Sequence, residues 1–277
     1  MKRISAGVHG TAEYLRRQIL RIMERLSKLL PICLLVLVQA WINIPMNLSA
    51  GRWETVIDTA SFNSYAQFGS NWHYLYPWGS IHNGSAKMIG SPTKHSHIYL
   101  HDSVLVLEAV PAKGQGPIHY HSGTVYAKKA ILINDQYPIW KFQADVKADS
   151  LRGTWPAFWL TGTHSWPPES DIMEYKGNDT CWQNTYTGRW QVHLTKVLLP
   201  GNWHNYKAII TKTDSADVEI KYYIDGRLTS TNRADFVGKP MWIILDYQME
   251  GSSGSPGPKD TTYMKVKDVY VGRDRAF

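Results

Sequence analysis

The feature that most constrains the fold is a succession of short runs rich in β-branched and aromatic residues, separated by turn signals. Runs of this kind predict β-strands. From residue 51 onward, no stretch keeps the helical period over three turns. We therefore predict an all-β fold, a single β-jelly-roll sandwich over residues 51–277 with a concave substrate cleft. The clearest predicted strands are Ser103–Val110, Gly123–Lys128, Ile139–Ala148, Ser170–Tyr175, Tyr206–Thr211, Val218–Ile224, Met241–Met249 and Met264–Val271.

Residues 1–50 have the pattern of a targeting segment. Five basic residues between positions 16 and 28 precede the apolar run Leu29–Val38, and small-residue sites follow at Val38-Gln39-Ala40 and Leu48-Ser49-Ala50. This order predicts a signal peptide and hence a secreted, extracellular protein with no stable membrane association after cleavage. The alternative is an uncleaved signal anchor, because the apolar stretch continues through Ile42. Pro31 interrupts that stretch, which is short for a membrane span.

Most of the formal net charge of +7 lies in the same segment. Residues 1–50 carry seven Lys or Arg and two Glu, whereas the rest of the chain carries 23 basic and 21 acidic residues. Nucleic-acid binding requires a basic face on the folded domain. We therefore predict no nucleic-acid partner, and we expect a monomer.

The aromatic composition favours a carbohydrate partner. The chain contains 12 Trp and 16 Tyr against six Phe. Trp and Tyr combine an apolar ring with a polar tip, so they suit surfaces that are both apolar and hydrated. Sugar rings stack on such faces, which favours a polysaccharide substrate. The alternative is that these residues are present because they form strands well.

Three carboxylates within six residues, Glu169, Asp171 and Glu174, give the strongest chemical signal. In an extended strand the side chains at i and i+2 share a face, so Glu169 and Asp171 point the same way. Glu174 would point to the opposite face unless a β-bulge adds one residue to the strand. We predict that bulge near Ile172-Met173, with both apolar side chains turned mainly to the core.

A row of three carboxylates is rarely placed for stability, because neighbouring like charges raise each other's pKa. Retaining glycoside hydrolysis needs two carboxyl groups about 5–5.5 Å apart, one as nucleophile and one as acid/base. The two Glu backbones would lie roughly 13 Å apart along the bulged strand, a gap that leaning side chains close in large part. Geometry alone leaves open which Glu takes which role. The alternatives are a solvated acidic edge strand and a calcium-binding surface.

The segment Trp155-Pro156-Ala157-Phe158-Trp159-Leu160, followed by the three carboxylates, resembles the bulged signature of glycoside hydrolase family 16. The resemblance runs through most of residues 60–273 and includes Trp203-His204-Asn205-Tyr206, Tyr223-Ile224-Asp225-Gly226 and the closing Met264–Val271. It implies a β-jelly roll, retention of configuration and a covalent glycosyl-enzyme intermediate. It also implies that Glu169 is the nucleophile, Asp171 the assisting residue and Glu174 the acid/base. This chemistry requires no cofactor and no metal.

The resemblance further implies a set of substrate-binding residues. They are Trp159 at the cleft floor, Trp182 and Gln183 after the catalytic strand on its concave side, Gln248 on a neighbouring strand, and Asn83 in an early loop. The alternative for each is a packed aromatic residue or a turn amide. His119, His121 and His193 match no metal-ligand spacing, and we interpret them as hydrogen-bonded or exposed histidines.

The chain departs from laminarinase-like members of that family at positions that line the sugar subsites. It has Ser170 between the first two carboxylates, Cys181–Thr185 after the motif, and Leu245–Gly254 late in the chain. We therefore predict a secreted endo-acting enzyme that hydrolyses a β-linked polysaccharide with a β-1,3-linked glucan or galactan backbone. The alternatives are a non-catalytic lectin on the same fold and a cell-wall transglycosylase.

Overall fold

Two stacked β-sheets form the part of the chain that the computed structural model describes, residues 52–276. The predicted signal peptide or signal anchor at residues 1–50 lies outside the described residues. Within residues 52–276, no helix is both long and apolar enough to cross a membrane.

The sandwich contains 17 strands, one short helix and two 3₁₀ turns, at Thr59–Phe62 and Gly251–Ser253. The helix, α1, spans Tyr65–Asn71 and begins where the Ser64 hydroxyl accepts a hydrogen bond from the Gln67 amide. The strands are β1 (Arg52–Ile57), β2 (Trp72–Tyr74), β3 (Ala86–Met88), β4 (Ile98–His101), β5 (Val104–Gln115), β6 (Ile118–Ser122), β7 (Thr124–Ala127), β8 (Ile139–Ala148), β9 (Thr154–Gly162), β10 (Glu169–Tyr175), β11 (Thr180–Tyr186), β12 (Trp190–Lys196), β13 (His204–Lys212), β14 (Val218–Ile224), β15 (Arg227–Ala234), β16 (Met241–Met249) and β17 (Thr262–Arg275).

The larger sheet has ten strands in the order β15-β14-β13-β8-β17-β5-β6-β3, with β1 paired to β17 and β4 paired to β5. The smaller sheet has seven strands in the order β12-β11-β10-β9-β16-β7-β2. Most pairs are antiparallel, and β3 with β6 is a parallel pair. This is the predicted all-β jelly-roll sandwich. Each of the eight predicted strands is present, to within a few residues at the ends.

The core lies between the sheets and follows from alternation along the strands. On β8 every second side chain is buried, including Phe142, and on β9 Phe158 and Leu160 are fully buried. Truncation of a buried Phe to Ala typically costs about 3–5 kcal/mol. The opposite faces of the same strands are thereby free to carry polar and aromatic groups.

The bulge predicted in the strand of the three carboxylates is confirmed. Along β10, Asp171 pairs with Trp159 of β9 and Met173 pairs with Phe158, so Ile172 is the extra residue. Ile172 and Met173 are both fully buried. The bulge thus lets two consecutive apolar residues enter the core, and it restores Glu174 to the face that carries Asp171.

A tight hairpin joins β14 to β15, as Asp225-Gly226 predicts. Ile224 pairs with Arg227, and the two residues between them have positive φ angles of 49° and 78°. Two positive φ angles define the type I′ turn, whose twist matches that of the flanking strands.

Candidate active site

A cavity of about 570 Å³ opens on the outer face of the seven-stranded sheet. Because β9, β10 and β16 are adjacent in that sheet, their outward side chains form its floor. Five indole rings contribute to the lining: Trp78, Trp155, Trp159, Trp166 and Trp190. This combination of aromatic faces and convergent polar groups is typical of a ligand site.

The three motif carboxylates all line this cavity. Glu169 is half-buried, whereas Asp171 and Glu174 are 5% and 7% exposed. Glu169 stands opposite Tyr186 of β11, and Glu174 stands opposite Trp182. The sandwich therefore places three acidic groups side by side on one buried face.

Glu169 is held by a loop tryptophan. Its Oε2 accepts a 2.7 Å hydrogen bond from Nε1 of Trp166, whose ring stacks on Tyr186 at a centroid distance of 4.3 Å. Burial raises the pKa of Glu169 to about 7, and the neighbouring charge of Glu174 adds to the rise. The hydrogen bond from Trp166 favours the charged form and opposes that rise.

Asp171 is the most buried of the three carboxylates, and the side-chain amide of Asn184 connects it to Glu174. Nδ2 of Asn184 donates to Oδ2 of Asp171 at 3.0 Å and to Oε2 of Glu174 at 3.3 Å. Burial raises the pKa of Asp171 well above its usual range, and Glu174 and Glu169 raise it further. Burial of this kind favours the protonated form of a carboxyl, which can donate a hydrogen bond to a neighbouring carboxylate.

Glu174 receives hydrogen bonds from two sides and also forms an ion pair. Nε1 of Trp155 donates to its Oε1 at 2.6 Å, and Nζ of Lys176 lies 3.1 Å from its Oε2. Lys176 follows the end of β10, and its ammonium group also lies 4.4 Å from the centre of the Trp182 ring. The acidic floor therefore has a fixed cation at one end.

A fourth carboxyl, Asp246 on β16, lies beneath Trp159. Its two oxygens accept hydrogen bonds from Nε1 of Trp159 at 2.8 Å and from the Tyr76 hydroxyl at 2.7 Å. Burial raises the pKa of Asp246 to about 7, although both hydrogen bonds favour its charged form. Asp246 fixes the orientation of the Trp159 indole, on which the His82 ring stacks at 5.7 Å.

Of the predicted substrate-binding residues, the structure places Trp159, Gln248 and Asn83 in the cavity lining. Oε1 of Gln248 accepts hydrogen bonds from the Ala86 and Met249 amides, both at 2.9 Å. Its Nε2 is buried with no hydrogen-bond partner within residues 52–276. Asn83 is exposed at the rim. These three residues remain our predicted sugar contacts.

Trp182 and Gln183 do not line the cavity, and Gln183 points away from it. The amide Nε2 of Gln183 donates to the Ile172 carbonyl at 2.9 Å, and its Oε1 accepts from the Thr229 hydroxyl. Gln183 is fully buried. Our prediction that both residues face the concave side is therefore corrected for Gln183, because adjacent strand residues point to opposite faces. Trp182 does share the face of Glu174 and contacts the site through Lys176.

The three histidines singled out in the sequence lie apart from the carboxylates. Nδ1 of His119 lies 2.5 Å from Oε2 of Glu250, and the His121 ring meets His97 edge-on. His193 pairs with Gln183, so it shares the face that points away from the cavity. Within residues 52–276, no group of three His, Cys, Asp or Glu side chains is arranged to hold a metal ion.

Several residues that contact the carboxylates are not among the predicted site residues. The alternation of strand faces could have predicted Asn184, because it lies two positions after Trp182 on the same strand and so shares its face. Lys176 is two residues beyond Glu174 and had the same signal. Trp166 lies only three residues before Glu169, but the loop conformation that turns its indole back to that carboxylate has no strand periodicity. Asp246 comes from a distant strand, and no local spacing connects it to the motif.

A jelly-roll sandwich with three carboxylates on one bulged strand, two of them buried and one half-buried, at the floor of a tryptophan-lined cavity, defines the site of a glycoside hydrolase. The chain belongs to the family described as Glycosyl hydrolases family 16, whose sequence profile matches residues 115–265.

Similar proteins come from both sequence and structure. The chain is 38% identical over 227 residues to a galactan endo-β-1,3-galactanase from Flammulina velutipes, covering 76% of this chain and 88% of that protein. A LamA variant from Z. galactanivorans, solved with laminaritriose and laminaritetraose, has a TM-score of 0.59 at 19% identity, over 74% of this chain and 93% of that one. An endo-1,3-β-glucanase from Streptomyces sioyaensis has a TM-score of 0.60 at 19% identity, over 81% of this chain and 97% of that one. At these identities the two structures establish the fold alone.

Proposed function

We propose that this protein is an endo-β-1,3-galactanase that cleaves the β-1,3-linked backbone of a galactan with retention of configuration. The observation that carries the proposal is the row of Glu169, Asp171 and Glu174 in a chain that is 38% identical over 227 residues to a galactan endo-β-1,3-galactanase. An open cavity on a sheet face suits an endo-acting enzyme, because a long chain can enter it from the side.

In the proposed mechanism, the carboxylate of Glu169 attacks the anomeric carbon while Glu174 protonates the departing glycosidic oxygen. The C–O bond to the leaving sugar breaks as an ester bond to Glu169 forms. Glu174 then takes a proton from water, and the hydroxide displaces Glu169 from the anomeric carbon. Asp171, whose pKa is raised by burial, lies between the two Glu residues and supplies a hydrogen bond to its charged neighbours between the two steps.

The contacts around each Glu support this division of roles. Trp166 fixes Glu169 at one end of the row, and Trp155, Asn184 and Lys176 surround Glu174 at the other. The ionised form of Glu174 is thus well solvated by the protein once it has given up its proton.

The roles of the two Glu residues are separable by azide rescue on a β-linked substrate with a good leaving group. In Glu169→Ala, azide takes the place of the nucleophile and gives the α-glycosyl azide. In Glu174→Ala, azide attacks the anomeric carbon of the glycosyl-enzyme, displaces Glu169 and gives the β-glycosyl azide. Exchange of the two anomers between the variants would reverse our assignment of the roles.

The substrate is tested with a panel of polysaccharides: β-1,3-galactan, arabinogalactan, laminarin, lichenan, agarose and carrageenan. We expect oligosaccharides, identified by mass spectrometry, from β-1,3-galactan with wild type and none with Glu169→Gln. Products from laminarin in place of galactan would make the enzyme a β-1,3-glucanase on the same machinery.

Two further outcomes correspond to the alternatives. Binding of an oligosaccharide without turnover, by folded wild-type protein, would identify a lectin. Products longer than the starting oligosaccharide would identify a transglycosylase, in which an acceptor sugar competes with water for the glycosyl-enzyme.

We also propose that the enzyme is secreted as a monomer, with residues 1–50 acting as a signal peptide ahead of the catalytic domain at 51–277. The pattern of basic residues before Leu29–Val38 supports this assignment. N-terminal sequencing of protein recovered from the culture medium tests it. An intact N-terminus on membrane-bound protein would favour the signal anchor.

A further inference from the structure

A second groove, of about 370 Å³, lies on the outer face of the ten-stranded sheet. Its walls include Tyr99 of β4, Val106 of β5, Lys147 of β8, Lys265 of β17 and Trp203 before β13. The catalytic cavity opens on the other sheet, so the core of the sandwich separates the two sites.

A row of cross-strand partners forms the floor of this groove. Lys147 pairs with Lys265, Lys265 pairs with Val106, and Val106 pairs with Tyr99. Both lysines point outward, because their chain neighbours, among them Val146 and Val266, are buried in the core. The arrangement is therefore fixed by the backbone register.

Two lysines directly opposite each other on one face repel and reduce the stability of the sheet. Among the described residues, neither Lys147 nor Lys265 has a carboxylate within ion-pair distance. The nearby Asp145 is engaged by Nδ2 of Asn205 at 2.7 Å, and the rim residue Asp102 lies 3.3 Å from His101. Neither lysine is therefore neutralised by a direct ion pair, although Glu108 lies on the same face, close to Tyr99 and Tyr263.

Aromatic rings flank these charges. Trp203 is 39% exposed, with the Lys267 ammonium 5.0 Å from its ring centre, and Nζ of Lys265 lies 5.6 Å from the Tyr263 ring. Exposed aromatic faces provide stacking surfaces for sugar rings, and lysine ammonium groups bind carboxylate or sulfate as point charges. The groove therefore combines the two kinds of contact that an acidic sugar requires.

We propose that this groove is a second, non-catalytic binding site for an anionic polysaccharide, in which Lys147 and Lys265 contact an acidic group and Trp203 stacks on a sugar ring. The site is independent of which backbone the cavity cleaves. Binding there holds a polymer at the enzyme while another stretch of it enters the cavity, which raises the effective substrate concentration.

Binding is measured by affinity electrophoresis of the full-length chain, in a Glu169→Gln background that prevents turnover. The polymers are a uronate-bearing arabinogalactan, the same polymer after carboxyl reduction, a sulfated galactan, neutral β-1,3-galactan and single-stranded DNA. The uronate and sulfate arms distinguish the two sources of negative charge.

We expect Lys147→Gln/Lys265→Gln to weaken binding of the acidic polymer roughly 3- to 30-fold. Lys147→Arg/Lys265→Arg should retain binding, and Trp203→Ala should weaken it. The matched control is Lys207→Gln/Lys221→Gln, which removes two charges from β13 and β14 of the same sheet and should change binding less than twofold. In protein that keeps Glu169, the substitutions Lys147→Gln/Lys265→Gln should leave the hydrolysis of short neutral oligosaccharides unchanged.

The melting temperature of Lys147→Gln/Lys265→Gln should be equal to or above that of its parent, because a repulsion is removed. If the groove variant and the control variant lost binding of the acidic polymer equally, the effect would come from general surface charge, and the proposal of a specific site would be wrong. Unchanged binding after carboxyl reduction of the polymer, or tighter binding of single-stranded DNA, would also overturn it.

Discussion

Nζ of Lys176 lies 3.1 Å from Oε2 of Glu174, and the lysine side chain is 22% exposed. The cation stabilises the carboxylate of Glu174, the group to which we assign the acid/base role. It also lowers the pKa of Glu169 and of Asp171 from further away. Lys176 therefore influences the proton balance of the whole row.

Replacement of Lys176 by Met should move the acidic limb of the pH profile of kcat/KM, which follows the ionisation of Glu169, towards higher pH by about half a unit to one unit. Without the cation, Glu169 ionises at higher pH. Lys196→Met provides the control, since Lys196 pairs with Asp179 at an exposed position away from the cavity. Identical profiles for the two variants would show that the ion pair is not maintained in solution.

The charge of Glu169 should cost the folded protein stability. Its pKa is raised from 4.5 to about 7, so the stability present below pH 4.5 is lost as pH rises through 7. Glu169→Gln should therefore raise the free energy of unfolding at pH 8 by on the order of 2 kcal/mol and leave it unchanged near pH 4. Urea unfolding at both values measures this. Asp260→Asn, at an exposed carboxyl, should change neither value.

Asn184 should matter for turnover more than for binding. Its Nδ2 is shared by Asp171 and Glu174, and Asn184→Leu removes that donor with little change in volume. Loss of a hydrogen bond to a charged group predicts a fall in kcat of roughly 10- to 100-fold, with KM nearly unchanged. The same substitution at Asn232, which donates to Thr185 at 3.0 Å, should leave kcat near wild type. A rise in KM alone at Asn184 would assign it to substrate binding.

The strand that carries the three carboxylates could be predicted from the sequence because the pattern is local. Three carboxylates spaced two and three residues apart can share a face in a strand with one extra residue, and Ile172-Met173 provided two apolar residues to bury. The jelly-roll sandwich followed from the succession of strands. The incorrect placement of Gln183 could have been avoided by the same local rule. Successive strand residues face opposite sides, so Gln183 cannot share the face of Trp182.

Strand spacing could not predict all the surroundings of the carboxylates. Trp166 is three residues before Glu169, but the conformation of its loop decides whether its indole reaches that carboxylate. Asp246 lies on β16, which pairs with β9 although the two strands are far apart in sequence. The pairing of distant strands is decided by the packing of the whole sandwich. The pKa of Asp246, near 7, likewise depends on burial by residues from several strands.

The loop after β16 is fixed by a buried carboxylate. Oε1 of Glu250 accepts hydrogen bonds from Ser255 at 2.8 Å and from the Gly257 amide at 2.9 Å, and its Oε2 lies 2.5 Å from Nδ1 of His119. Gly251, next in the chain, packs so closely on Trp155 that an added Cβ would lie 2.7 Å from its ring. Glu250 thereby supports the tryptophan that donates to Glu174.

Glu250→Gln should lower the free energy of unfolding at pH 7 by about 1–3 kcal/mol. Burial alone would raise the pKa of Glu250, but its hydrogen bonds outweigh burial and lower that pKa to about 2. The stabilisation is therefore present above pH 4.5 and is lost as pH falls towards 2. Urea unfolding at pH 7, 5, 4 and 3 should show the deficit shrinking with acidity, and Glu219→Gln, at an exposed ion pair, should show none. A deficit of equal size at pH 3 and pH 7 would mean that packing, and not the charge of Glu250, fixes the loop.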